Sequence, residues 1–187
     1  MRAYIINLDR SPERWEAVNK ECNRVGLETV RIPAVDGKLW DGSGWKKQGR
    51  ANEKYWRGMA GCYFSHIKAI ETAIASPEHF PCLVLEDDVV FDKPPTPCGS
   101  GMEWMGGFKS DRGIYGSHAY CYNTLEAAQS FLTFLKSRKS TVDSMANIYR
   151  KRYPERTVIS YPFTIHQLSG VSTITETFLD RYAQSHR

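Results

Sequence analysis

Glu86, Asp87 and Asp88 are three acids in a row at the end of the apolar run Cys82-Leu83-Val84-Leu85, with Val89-Val90-Phe91 directly after them. Apolar residues on both sides set them apart from a solvated charge run. In a strand the side chains alternate, so Glu86 and Asp88 are expected on one face and Asp87 on the other. Two carboxylates on one face make half of a site for a hard divalent cation. Mg²⁺ and Mn²⁺ take oxygen ligands and are often held by one or two carboxylates together with substrate phosphates. The chemistry this suggests is transfer from a phosphorylated donor. The same acids would also serve as surface caps of a turn, and short acidic motifs match by chance often.

Other residues could handle an anion. Asn7, Arg10 and Arg14 fall where a first strand, Ala3 to Leu8, meets a first helix opened by Ser11-Pro12. A helix N-terminus favours anions, and an arginine there can clamp a phosphate or serve only as a solvated helix residue. Asp36 stands before Gly37, either contacting a ribose or base or simply forming an Asp-Gly turn. Ser65 and His66 share a helix with Cys62. Cys62 and His66 are at i and i+4 and could face one ion, but two ligands are too few for a metal centre.

These residues need a frame. Trp15, Val18, Cys22 and Val25 follow helical spacing, and Gly26 ends that helix. Thr29 to Val35 reads as a second strand. Strand, helix and strand in succession give a βαβ unit and the α/β class. The pattern predicts a loop over 38–58, a helix over Met59–Ala75 and a strand over 82–86. A Pro-rich loop over 93–101, a strand over Ile114–Tyr122 and a helix over Leu125–Leu135 follow. Beyond these come a helix from near Thr141, a strand over Thr157–Tyr161 and a terminal helix over 174–183. Trp104, Tyr120 and Tyr122 are expected in the core rather than stacked on a ligand.

The chain has 187 residues, 41% of them hydrophobic, and a net charge of +4. That suits one domain over residues 1–187, with no internal boundary. The mild basicity allows anionic donors or nucleic acid without requiring either. The basic segment with Lys46, Lys47, Arg50, Lys54 and Arg57 matches no DNA-binding motif, so nucleic acid is not favoured. The five cysteines form no C-x-x-C pair, which argues against a zinc cluster or a disulfide framework and for reduced thiols in the cytoplasm. No segment has the length of a signal peptide core or a membrane span, leaving room only for peripheral membrane contact.

Several segments, in order, resemble glycosyltransferase family 25, which includes the bacterial lipooligosaccharide galactosyltransferases. They are Ile5 to Trp15, Pro33-Ala34-Val35-Asp36-Gly37, Gly61-Cys62-Tyr63-Phe64-Ser65-His66 and Leu85-Glu86-Asp87-Asp88-Val89. Ser117 to Tyr122, Val142-Asp143 and the stretch from Tyr161-Pro162 to Gln167, then Ser172, continue the series. The resemblance implies a GT-A-like fold, a mixed, mostly parallel sheet flanked by helices. It implies transfer from a nucleotide-sugar, a UDP-sugar first, to a glycan or lipid-linked saccharide, with Mn²⁺ or Mg²⁺ and with inversion. Modified DNA as acceptor, or a non-catalytic nucleotide-sugar-binding module, are the alternatives.

The resemblance also assigns roles. Asp88 would be the direct metal ligand, with Glu86 beside it and His166 as an extra ligand. Asn7, Arg10, Arg14, Asp36, Ser65, His66, Asp87 and Gln167 would line the donor. Inversion needs a base on the acceptor hydroxyl, and Asp143 matches the family's position for it, away from the metal pair. Glu126 and Asp111 are weaker rivals. The stretch between the acidic motif and strand 114–122 is shorter than the family pattern, so acceptor identity does not carry over.

Overall fold

In the computed structural model, residues 1–41, 43–45, 53–110, 113–168, 170–171 and 178–179 are described. Lys46, Lys47, Arg50, Asp111 and Ser172 lie outside them, as does most of the expected helix 174–183. Two residues of that stretch, Phe178 and Leu179, pair as a strand with Val171 and Gly170 instead.

The chain runs β1 (Arg2–Asn7), α1 (Pro12–Arg24), β2 (Glu28–Pro33), α2 (Glu53–Ile74) and β3 (Cys82–Glu86). Three-residue strands follow: β4 (Val89–Phe91), β5 (Met102–Trp104), β6 (Phe108–Ser110) and β7 (Gly113–Tyr115). Then come β8 (Ala119–Tyr122), α3 (Leu125–Ser137), α4 (Val142–Arg152), β9 (Thr157–Ile159) and β10 (Ile165–Gln167). A six-stranded sheet has the order β2-β1-β3-β8-β5-β9. β1 is parallel to β2 and β3, β8 is antiparallel to β3 and β5, and β5 is parallel to β9.

Alternation along the strands divides the core into two layers. Tyr4, Ile6, Cys82, Val84, Tyr120 and Tyr122 pack with α2, α3 and α4 on one face. Ala3, Ile5, Leu83, Leu85, Ala119 and Cys121 pack with Val18 and Cys22 of α1, and with β4 and Ile165, on the other. Both faces are covered, so β1 and β3 read as continuous apolar runs. Phe131 of α3 sits among Tyr120, Tyr122 and Tyr149, and burying such a ring contributes about 1.5–3 kcal/mol. Trp104, Tyr120 and Tyr122 are fully buried, as expected of core aromatics.

This topology creates the site. α1 carries the chain from β1 to β2 across one face, and α2 carries it from β2 to β3 across the other. The direction of winding reverses between β1 and β3, and open α/β sheets bind ligands outside the carboxyl ends of the strands at such a point. Asn7 ends β1 there and Glu86 ends β3.

Two boundaries differ from the sequence reading. α2 begins at Glu53, not Met59, because Glu53 and Arg57 pair at helical spacing (2.8 Å) and Gly58 is accommodated inside the helix. The expected strand 114–122 is interrupted: Gly116 adopts φ +99°, which ends β7 and turns the chain before β8. Among the described residues, no helix is long and apolar enough to cross a membrane.

Candidate active site

Glu86 continues the parity of Cys82 and Val84, so its carboxylate faces α2. Its Oε1 accepts from the Ser117 hydroxyl at 3.0 Å and lies 3.4 Å from Nε2 of the buried His66. Its Oε2 is 3.5 Å from Nε2 of Gln167. Burial opposes ionisation of Glu86, but His66, helped by His118 and Ser117, outweighs it and holds the group down at about 2.

β3 ends at Glu86, and Asp87 and Asp88 form a turn into β4. Strict alternation therefore does not govern them. Asp87 does not point away from the cluster: Asn7 Nδ2 donates to its Oδ2 at 2.6 Å, and the Arg14 guanidinium pairs with its Oδ1. Arg14 also reaches Asp88 Oδ2 at 3.0 Å, and Gln167 Nε2 donates to the same oxygen at 3.1 Å. Gln167 thus brings Glu86 and Asp88 together. The second oxygen of Asp88, Oδ1, is buried without a hydrogen-bond partner. Burial, then the charge of Glu86, push Asp88 up to about 7 against the pull of Arg14. Burial also raises Asp87, although Arg14 and Asn7 resist it. Asp87 and Asp88 share one arginine, Arg14, and oxygens such as Asp88 Oδ1 and Glu86 Oε2 are those a hard divalent ion could take.

Asn7 is buried, and its amide is fully engaged. Besides Asp87 it donates to Ser11 O at 3.0 Å and accepts from Arg31 Nε at 2.9 Å. It positions the acid turn instead of offering a free group to a ligand. Arg31, which no sequence motif singled out, pairs in turn with Asp9 at 2.8 Å. Arg10 is paired with Asp36 at 2.7 Å, and Asp36 also caps Lys38 N at 2.9 Å. Burial works against its charge, yet Arg10 and the Lys38 N–H lower Asp36 overall. The turn reading of Asp36 is met by its bond to Lys38 N, and the residue stands beside the carboxyl end of β2.

Ser65 serves the same segment. Its hydroxyl donates to Gly61 O at 2.6 Å and accepts from Val35 N at 2.8 Å. Gly61 lets α2 approach closely: a Cβ there would lie 2.6 Å from Val35 O. Trp40 and Trp45 hold the following residues against Phe64 and Tyr63 of α2.

The structure separates His166 from its neighbour. β10 pairs with β4, placing Ile165 and Gln167 on one face and His166 on the other. His166 Nε2 meets Asp92 at 2.7 Å, while Gln167 reaches the acid cluster. The expected metal role of His166 is corrected on this ground, because alternate residues of a strand cannot face one ion together with their neighbours.

Asp143 follows the N-cap Thr141, whose hydroxyl accepts from Ser144 N at 3.2 Å. It was expected away from the acid pair, yet it joins the same cluster. Burial and the Glu86 charge raise its proton affinity, while Ser117 and the Gly116 N–H lower it in part. Its Oδ1 is buried without a hydrogen-bond partner. Glu126, the rival base, is exposed in the first turn of α3. In the sequence Ser117 is only the first residue of a strand motif. It links Glu86, Cys62 and Asp143, and its cue is Gly116, whose positive φ breaks the strand just before it.

Comparison with known proteins bears on the family and the fold. The family model described as Glycosyltransferase family 25 (LPS biosynthesis protein) matches residues 1–95, from β1 through the acid turn and β4. A glycosyltransferase 25 family member of Aedes aegypti is 35% identical over 99 residues, 48% of this chain and 16% of that protein. One of Drosophila pseudoobscura pseudoobscura is 30% identical over 99 residues, with the same coverage of 48% and 16%. The match therefore spans about a sixth of the length of these relatives. The fold resembles that of a glycosyltransferase involved in the glycosylation of the major capsid of PBCV-1. That likeness has a TM-score of 0.56 at 11% identity and covers 92% of this chain and 94% of the other. With half of the chain matched by the family model, and the sheet's switch point lying inside that half, the chain belongs to glycosyltransferase family 25.

Proposed function

We propose that this chain is a single-domain, metal-dependent glycosyltransferase that moves a sugar from a nucleotide-sugar, a UDP-sugar first, to a hydroxyl of a glycan or lipid-linked saccharide. One observation carries the reading: Asp88 presents a buried, unpartnered oxygen beside two further acids, at the carboxyl ends of β1 and β3. A buried carboxylate oxygen without a partner costs about 1–3 kcal/mol, more when charged, and such a group calls for a ligand.

Asp88, with Glu86, would hold Mn²⁺ or Mg²⁺. Such an ion neutralises the charge that gathers on a departing nucleoside diphosphate. Arg14 adds a positive charge at the N-terminal end of α1, where phosphate is favoured. Gln167 keeps the two carboxylates on one side. The Arg10–Asp36 pair lies where a ribose or base would meet the end of β2. Asp143 takes the proton from the acceptor hydroxyl as it attacks the anomeric carbon, giving inversion. Its raised proton affinity is in the direction a general base needs. Ser117, between Asp143 and Glu86, holds the base beside the donor acids. Five free cysteines support a reducing, cytoplasmic setting.

Calorimetry with UDP and Mn²⁺ tests the donor reading, and hydrolysis of UDP-sugars tests turnover. UDP binding that needs Mn²⁺, with slow release of one sugar, supports the enzyme. Binding without turnover over a donor and acceptor panel, saccharides and modified DNA included, would mean a binding module instead. Absence of any nucleotide binding would reject both.

A further inference from the structure

We propose that Cys62, His66 and Glu86 form a second cation site, suited to a borderline-soft ion such as Zn²⁺, which shares Glu86 with the oxygen-lined corner at Asp88.

Cys62 and His66 stand at i and i+4 on α2, so both side chains project from one face of the helix. That face meets the end of β3, which supplies Glu86. The Cys62 Sγ, one His66 ring nitrogen and one Glu86 carboxylate oxygen all lie within 4.8 Å of one another. A pair of ligands was too few to suggest a site from the sequence; the fold adds the third.

The His66–Glu86 distance favours shared coordination. His66 Nε2 and Glu86 Oε1 are 3.4 Å apart. That is long for a charge-assisted hydrogen bond, which runs at about 2.7–2.9 Å. It is close to the edge of a tetrahedron with bonds of about 2.1 Å, roughly 3.4 Å, the geometry of Zn²⁺ with His and Glu. The His66 ring is held in place by burial, with its side chain 1% exposed. The Glu86 side chain is 25% exposed, which leaves the site open to ions from solution. The Ser117 hydroxyl, 3.0 Å from Glu86 Oε1, also bonds Cys62 and so lies against two of the three ligands.

The two corners differ in kind. Sulfur and imidazole select borderline and soft metals, whereas carboxylates alone suit Mg²⁺ or Mn²⁺. The two oxygens of Glu86 already point to different partners, Oε1 to His66 and Ser117, Oε2 to Gln167. One carboxylate can therefore bridge both corners. Zn²⁺ on Oε1 would fasten α2 to β3 and alter what Oε2 offers to the other ion. The proposal does not rest on the donor reading: it is argued from the mutual distances of Cys62, His66 and Glu86, and Asp88 takes no part in it.

The test uses Co²⁺ as a spectroscopic probe on the whole chain, in a Cys98→Ser background that removes the exposed thiol. A thiolate-to-Co²⁺ charge-transfer band in the near ultraviolet, displaced by one equivalent of Zn²⁺, is expected. Cys62→Ser should abolish the band, and His66→Gln should weaken Zn²⁺ binding by at least about 100-fold. Asp88→Asn should leave the band in place while removing Mn²⁺-dependent UDP binding, which separates this site from the donor reading. Circular dichroism checks that each variant is folded, and Cys62→Ser decides the case if His66→Gln is not. No band in the folded parent, or a band that survives Cys62→Ser, overturns the proposal.

Discussion

Asn7 and Asp87 lie 80 positions apart and are joined by a hydrogen bond of 2.6 Å. The bond crosses from the end of β1 to the turn after β3, over the point where the sheet reverses its winding. It fixes Asp87 and leaves Asp88, the next residue, with one oxygen free of protein partners. The acid turn is thus a shaped object, held from behind by an amide that has no spare valence of its own.

Asp88 should make the molecule pH-sensitive. Its pKa is raised from 3.8 to about 7, so between those values the folded chain keeps a proton that the unfolded chain has lost. Stability of the metal-free protein should fall as pH rises from about 4 to about 7, then level off. Asp87 and Asp143 are raised too and add to this slope. Glu86 is lowered to about 2 and acts oppositely, contributing stability that is lost only as pH falls below its ordinary 4.5. Thermal melts from pH 4 to 8 should show the decline, and Asp88→Asn should flatten it. Mn²⁺ affinity should rise over the same interval, because the proton and the ion compete. A pH-independent Mn²⁺ affinity would count against Asp88 as ligand.

Among the described residues, Arg14 is the cation paired with both Asp87 and Asp88. Arg14→Gln should destabilise the metal-free chain by about 1–3 kcal/mol, between the values for exposed and buried pairs. That is about 2–4 °C per kcal/mol in a chain of this size. Mn²⁺ should restore most of the loss, because it replaces the missing charge. Failure of Mn²⁺ to raise the melting temperature of Arg14→Gln more than that of the parent would refute the shared-charge account.

Asp143→Asn should keep UDP and Mn²⁺ binding and lose transfer by about 10²–10⁴-fold, the usual contribution of a general base. Steady-state rates with a productive donor and acceptor, set beside UDP affinity, provide the check. Transfer at the parental rate would remove Asp143 as the base.

Gly61→Ala sets two effects against each other. Inside a helix the change ordinarily gains about 1 kcal/mol. Here the new Cβ would stand 2.6 Å from Val35 O, and a backbone atom yields little. Overpacking of this kind costs about 1–3 kcal/mol, so net destabilisation is expected. The displaced segment carries Asp36, and nucleotide affinity should drop by about 10-fold for each 1.4 kcal/mol passed to the bound state. Denaturant melts and calorimetry read the two consequences separately.

Much of the donor half was legible because its signals are local. Pro12 and Gly26 bound α1, apolar runs mark β1 and β3, and Thr141 caps α4 where its residue type says it should. The Ser11 position was also right, although its side chain makes no capping bond. What stayed hidden depends on partners far along the chain. β4, β5, β6 and β10 are three residues each, too short for any period to show. That His166 and Gln167 face opposite ways follows only from the pairing of β10 with β4. Asn7 looked like a ligand group because its three partners come from α1, β2 and the acid turn. Ser117 escaped notice because its role depends on Gly116 breaking the strand.

The pairing of β10 with β4 has a consequence in time. Gln167 bridges Glu86 and Asp88 from 79 to 81 positions downstream, and Leu168 N closes onto Asp88 O at 2.7 Å. α1 can hold β4 early, since Glu21 and Arg24 both bond the Phe91 backbone. The last clasp must wait for a long loop to close, and such contacts form slowly. As the chain leaves the ribosome, the sheet's parallel half can assemble while its acid turn is still unbuckled. The acid turn would then be completed late in folding, when β10 returns to a turn made long before.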